Sequence, residues 1–139
     1  MSDNKPLIQV AAAIIWNEKS EILVCQRPAG KNLPLKWEFP GGKIEESETF
    51  KDTCIRECLE ELDLKIIIDN EYIDVTHNYE AFSVHIKFFN AHIDKNYKNT
   101  SPKKLEHNEI LWTNIYELEK LDFCPADSDV IKKIVADNS

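Results

Sequence analysis

The sequence predicts an α/β protein in which a mixed β-sheet carries helices. Three observations lead there. One apolar run, residues 7–16 (LIQVAAAIIW), is hydrophobic on both faces, as a strand covered from both sides must be. Residues 82–88 alternate apolar and polar side chains, the pattern of a half-buried strand. Helical stretches are interspersed with these strands without a strict β-α alternation, which favours a mixed sheet over a purely parallel one. The chain has 139 residues, which suits one domain spanning residues 1–139.

In chain order, residues 7–16 form the first strand and Asn17-Glu18-Lys19-Ser20 a turn. Residues 21–27 (EILVCQR) follow as the hairpin partner of the first strand. Residues 28–36, with Pro28, Gly30 and Pro34, form a loop. Trp37-Glu38-Phe39 is extended, because Pro40 disfavours helix at the residue before it. Gly41-Gly42 is expected to turn the chain. Residues 48–62 are helical: Cys54, Ile55, Cys58, Leu59 and Leu62 share one side, and Ser47 is the expected N-cap. Strands are expected at 64–68, 71–77, 79–93 and 110–112, with a polar lysine-bearing loop at 94–104. Helices are expected at 114–120 and 126–136.

Composition narrows the function. The net charge is −8, from 25 acidic and 17 basic residues, which argues against binding a nucleic-acid polymer or an anionic membrane. No apolar run approaches the roughly 20 residues of a membrane span. Residues 1–6 lack the features of a secretory leader, and Cys25, Cys54, Cys58 and Cys124 form no CxxC pair. Free buried thiols in a reducing cytoplasm are the expectation.

The charge is concentrated. Residues 45–63 hold eight acids and two bases, so they carry −6 of the −8. Glu57, Glu60 and Glu61 recur at helical spacing on one side of the predicted helix, and like charges so placed repel. Spacing alone leaves two readings open, a solvated acidic face and a site for a hard divalent cation with oxygen ligands.

The surrounding residues bear on that choice. From Gly42 the chain runs GKIEESETFKDTCIRECLEELDL. Gly42, Glu48, Arg56-Glu57, Cys58, Glu60-Glu61 and Leu64 stand at the spacing G-x5-E-x7-R-E-U-x-E-E-x-G-U, where U is bulky and apolar. This resembles the Nudix box, at residues 42–64, and the preceding Glu38-Phe39-Pro40-Gly41-Gly42-Lys43 resembles the MutT-like branch of that family. One position departs: Asp63 stands where the family has glycine. That glycine favours a left-handed helix end, which Asp tolerates better than most residues at a cost of about 1 kcal/mol. A stability effect with retained activity is expected.

The resemblance implies a Nudix-type α/β/α sandwich and metal-dependent hydrolysis of a phosphoanhydride. Mg²⁺, with Mn²⁺ as the variant, neutralises the polyphosphate and activates water. It implies Glu57, Glu60 and Glu61 as metal ligands, with the Gly41 carbonyl and a further glutamate outside the box. Glu106 is the best match for that glutamate, and Glu109 its rival. Glu57 is the leading metal-linked base, with Glu60 also in the catalytic set. Arg56 would orient a glutamate by charge-assisted hydrogen bonds, with Glu48 as partner or as a favourable charge at the helix start.

Substrate contacts are expected from four residues. Arg27 is one of two arginines in the chain, and in MutT-like proteins an arginine here meets phosphate or base; a surface arginine is the alternative. Asp127 stands where those enzymes place a base-contacting Asn or Asp, and N-capping of the last helix is its alternative. Tyr79 and Phe82 are stacking candidates or core residues. The implied activity is conversion of an NTP or dNTP to monophosphate and pyrophosphate. Oxidised guanine nucleotides such as 8-oxo-dGTP come first, and CTP or 5-methyl-dCTP second. ADP-ribose hydrolysis fits less well. A non-catalytic nucleotide-binding domain is the alternative of another class, although such domains usually lose part of R-E-x-x-E-E, which is complete here. An EF-hand is excluded by the lack of alternating Asp or Asn ligands. The sequence leaves monomer and homodimer both open.

Overall fold

A computed structural model describes residues 5–139. Its centre is the pair β1 (Leu7–Trp16) and β6 (Ser83–Ile93), which run parallel in unbroken register from Leu7↔Ser83 to Trp16↔His92. β5 (Ile66–Asn78) pairs with β6 antiparallel. The other edge of β1 is divided. β4 (Gly41–Lys43) pairs with Val10 to Ala12, and β2 (Ile22–Gln26) meets Trp16 across the first turn. β2 in turn pairs antiparallel with β3 (Trp37–Glu38) and with β7 (Glu109–Thr113). The result is one open, seven-stranded mixed sheet with the path β3-β2-β1-β6-β5.

The two-sided hydrophobicity of β1 follows from what covers it. Ala11, Ala13 and Ile15 face Cys54, Cys58 and Leu62 of α1 (Phe50–Leu62). Ala12 and Ile14 face the opposite core, built with Val130, Ile131 and Ile134 of α3 (Ser128–Asp137) and Leu118 of the one-turn helix α2 (Ile115–Leu118). Helices therefore cover both faces, the expected α/β/α sandwich. Leu62 and Ile134 are fully buried, each contributing about 1.5–3 kcal/mol of apolar transfer. Cys25, Cys54, Cys58 and Cys124 are buried and free. Among the described residues, no helix is long and apolar enough to cross a membrane.

Several local expectations change. Gly41-Gly42 is not a turn but part of β4, paired with Ala12 and Ala11. The strand lies so close that a Cβ on Gly41 would stand 2.1 Å from the Ala11 carbonyl oxygen. The N-cap of α1 is Thr49, not Ser47: its hydroxyl accepts from the Asp52 N–H, and Asp52 returns the bond to the Thr49 N–H. Ser47 lies in the preceding turn at φ 70°. The strands expected at 64–68 and 71–77 are one strand, interrupted by irregularities at 68–70 and 71–73. The strand expected from residue 79 begins at Ser83, because Tyr79 N–H closes a turn on Phe82 O at 2.8 Å. The helix expected at 114–120 ends at Leu118, and a 3-10 turn (Pro125–Asp127) precedes α3. Asp63 ends α1 in the left-handed conformation, at φ 49° and ψ 43°.

Candidate active site

The central strands, the β3–β4 corner and the second half of α1 line a cavity of about 500 Å³. Ile8, Val10 and Ala12 of β1 and Val84 and Ile86 of β6 form its apolar floor. Polar groups stand at its rim: Glu57 and Glu61 from α1, Glu38, Gly41, Gly42 and Lys43 from the corner, and Glu106 and His107 from the β6–β7 loop. Arg27, Lys31 and Asn32 close another side, and Tyr79, Phe82 and Asp127 the end away from α1.

The three box glutamates do not share one environment. Glu57 and Glu61 face the cavity, and Glu61 is only 4% exposed. Glu60 points outward and does not line it. Arg56 explains the split. Its guanidinium meets Glu48 through two N–H groups (Nε–Oε2 2.5 Å, Nη2–Oε1 2.9 Å), Glu57 Oε1 at 2.7 Å and Glu60 Oε1 at 2.9 Å. The fork and the fixed charge of arginine suit this bridging better than a lysine would. Glu48 also accepts from the Thr53 hydroxyl and the Glu45 N–H, and Arg56, above all, draws its pKa down to about 2. Glu48, Arg56 and Glu60 thus form a clamp on the outer side of α1 that holds one oxygen of Glu57. The other oxygen, Oε2, lies over Gly42, where a Cβ would stand 1.9 Å away.

Inside the cavity the negative charge is crowded. Burial, a hydrogen bond with Glu57, and the charges of Glu57, Glu38 and Glu106 push the Glu61 pKa up to about 10. Burial raises Glu38 against the opposing pull of Arg27, whose Nη1 stands 3.0 Å from Glu38 Oε1. Burial also raises Asp127 well above the carboxylate range, with Glu38 adding to it. His107 Nε2 lies 3.2 Å from Glu61 Oε1, while its Nδ1 is buried without a partner. Burial first, then Lys31 and Arg27, lower the His107 pKa to about 4.

Oxygen donors crowded until one retains its proton are the donor set of a hard divalent cation, which would replace that proton. Glu57 and Glu61, with Glu106 and the Gly41 backbone beside them, fit such an ion by chemistry. Among the described residues, no three His, Cys, Asp or Glu side chains already stand as a finished metal site.

The other expected residues are also placed. Arg27 lines the cavity and is held by Asn32 (Nε to Asn32 O 2.9 Å, Nη2 to Oδ1 2.7 Å) and Glu38. Asp127 is 5% exposed and lines the cavity; it occupies the N-cap position of α3, as the alternative expected, but makes no side-chain capping bond there. Tyr79 and Phe82 stack with centroids 4.9 Å apart, and the Tyr79 hydroxyl accepts from the Ala126 N–H. Glu109 does not line the cavity; its carboxylate accepts from the Ile110 N–H. Sequence reasoning missed Glu38, His107, Lys31 and Asn32 as cavity residues. A charged residue between Trp37 and Phe39 was a usable signal for Glu38. His107, in a polar loop, offered none beyond its position next to Glu106.

The Nudix-domain family model matches residues 11–133. The chain belongs to the Nudix family. As a MutT-like Nudix hydrolase it is an enzyme acting on acid anhydrides, and Nudix hydrolases in general require a divalent metal. It is 30% identical to the CTP pyrophosphohydrolase of Escherichia coli (strain K12), over 94% of this chain and 93% of that one. It is 32% identical to the 8-oxo-dGTP diphosphatase of Haemophilus influenzae, over 95% and 94%. Among solved structures it resembles the MutT protein from Methanosarcina mazei Go1, with a TM-score of 0.84, 25% identity and 99% of each chain covered. The open mixed sheet with helices on both faces is the Nudix arrangement.

Proposed function

We propose that this Nudix hydrolase converts a nucleoside triphosphate and water to the monophosphate and pyrophosphate. Oxidised guanine nucleotides such as 8-oxo-dGTP are its first substrate class. The observation that carries this reading is the single cavity with Glu57 and Glu61 at one end and buried Asp127 beside the Tyr79–Phe82 stack at the other. A base fits the aromatic and carboxyl end, and the phosphates extend toward α1.

Glu57, Glu61, Glu106 and the Gly41 carbonyl are the groups we assign to hold Mg²⁺, with Mn²⁺ as substitute. The cation supplies neutralisation of the phosphate oxygens and activation of water. Glu57 Oε1 is held by Arg56, which leaves Oε2 as the oxygen that would meet the cation and, Glu57 being the leading metal-linked base, the proton of the water beside it. Glu48 and Glu60 act through Arg56. The oxygen from water ends in pyrophosphate, and the bridging oxygen leaves with the monophosphate. Arg27 retains N–H groups beyond those given to Asn32 and Glu38, and these face the phosphates.

An Asp127 that keeps its proton both donates and accepts, which suits a base edge carrying both kinds of group. Cytosine nucleotides are the second reading, favoured by similarity to the CTP pyrophosphohydrolase across nearly the whole chain. We further assign the chain as one domain, residues 1–139, acting as a monomer or homodimer in the cytoplasm, where its four thiols stay reduced. No nucleic-acid polymer or membrane is assigned as partner.

The test is pyrophosphate release with Mg²⁺ from 8-oxo-dGTP, dGTP, CTP and 5-methyl-dCTP, with AMP formation from ADP-ribose measured beside it. Release fastest from 8-oxo-dGTP supports the first reading, and a preference for CTP or 5-methyl-dCTP moves the assignment to the second. Release from none of the nucleotides overturns both.

A further inference from the structure

The loop between β6 and β7 brings Glu106 and His107 to the cavity, and the structure shows what holds it there. The last carbonyls of a helix have no partner within that helix. At the end of α1 the loop supplies partners. Leu105 N–H donates to Glu61 O at 3.3 Å, Lys103 N–H to Leu62 O at 2.8 Å, and the Asn99 side-chain amide to Asp63 O at 2.9 Å. The Asp63 side chain adds two ties: Oδ1 accepts from the Tyr97 hydroxyl at 2.8 Å, and Oδ2 stands 3.4 Å from Lys103 Nζ. Two residues past Leu105, His107 reaches the Glu61 carboxyl.

A glycine at position 63 would adopt the left-handed conformation of this helix end at no steric cost. It would offer nothing to Tyr97 or Lys103. The position at which the box departs from its family pattern is therefore one where a side chain makes contacts that glycine cannot.

We propose that Asp63 is a positioning residue of the active site: it pins the 97–107 loop to α1 and so holds His107 against Glu61. The link to the cation rests on the function proposed above, whereas the pinning itself is measurable without it. Three variants test it: Asp63→Gly, Tyr97→Phe and Asp63→Asn. Asp63→Asn keeps an acceptor for the Tyr97 hydroxyl and tolerates the left-handed conformation. Two measurements are made on folded protein: amide hydrogen exchange at Lys103 and Leu105 without metal or nucleotide, and Mn²⁺ binding by electron paramagnetic resonance.

Losing the Tyr97 tie should speed exchange at those amides about 3–10-fold in Asp63→Gly and Tyr97→Phe and weaken Mn²⁺ binding about 2–10-fold. Asp63→Asn should stay within about twofold of the native protein on both. Native-like exchange in both Asp63→Gly and Tyr97→Phe overturns the proposal, as does faster exchange with native Mn²⁺ affinity. Failure to hydrolyse any nucleotide counts against the proposed function alone, since the exchange measurement needs no substrate.

Discussion

Cation binding should release a proton from Glu61. Its carboxyl is 4% exposed and shares a hydrogen bond with Glu57, and burial with the surrounding charges pushes its pKa up to about 10. A metal ligand must be the carboxylate. Between about pH 5 and that raised value, each bound cation therefore displaces one proton, and apparent affinity rises about tenfold per pH unit. From pH 6.5 to 8.5 the gain is about 100-fold, or about 2.7 kcal/mol.

The same shift has a sign for stability. The folded pKa lies above the unfolded value, so in metal-free protein the contribution of Glu61 is full below about pH 4.5 and is lost as pH rises toward about 10. Saturating Mg²⁺ should remove this slope. Titration calorimetry with Mg²⁺ in two buffers of different ionisation enthalpy measures the proton count directly. About one proton should be released at pH 7.5 by the native protein and none by Glu61→Gln, which also binds more weakly. Equal affinity at pH 6.5 and 8.5, or no proton release, would refute the reasoning.

Three substitutions probe other parts of the site. Gly42→Ala places a methyl 1.9 Å from Glu57 Oε2, so Glu57 must leave its position; kcat should fall at least about 100-fold while the circular dichroism spectrum stays native. Arg56→Lys cannot bridge Glu48, Glu57 and Glu60 together, and steady-state kinetics should show a loss of about 10–100-fold in kcat/KM. Asp127→Leu removes both the donor and the acceptor at the proposed base end, and the ratio of kcat/KM for 8-oxo-dGTP and CTP should shift by about tenfold or more, with Mg²⁺ affinity unaltered.

Much of this architecture was readable because strong local signals agree with the tertiary fold. The all-apolar run at β1 meant helices on both faces, and the 3.6-residue periodicity of α1 placed Cys54, Cys58 and Leu62 in its core. The acidic face of α1 was readable as a cluster but not as a split one. A spacing of three and four residues cannot tell that Arg56 draws Glu60 outward while Glu61 turns in under His107. β4 was read as a turn because Gly-Gly carries no strand propensity; its extended form comes from pairing with β1, a contact distant in sequence. The start of α1 moved by two residues because Ser47 and Thr49 are both good caps, and only Thr49 has Asp52 three residues on to complete the reciprocal bond. His107 was missed because its burial depends on the loop docking at Asp63, a long-range contact with no local signature.

The proposed reaction uses both halves of the cavity: Arg56 fixes one oxygen of Glu57, Glu61 would receive the cation, and the far end would receive the base. Phosphorus NMR of the products formed from 8-oxo-dGTP and Mg²⁺ tests that reaction most directly. Pyrophosphate and the nucleoside monophosphate should appear in equal amounts, and this should be lost in Glu57→Gln. Orthophosphate with the nucleoside diphosphate, or an undiminished rate in Glu57→Gln, would contradict it.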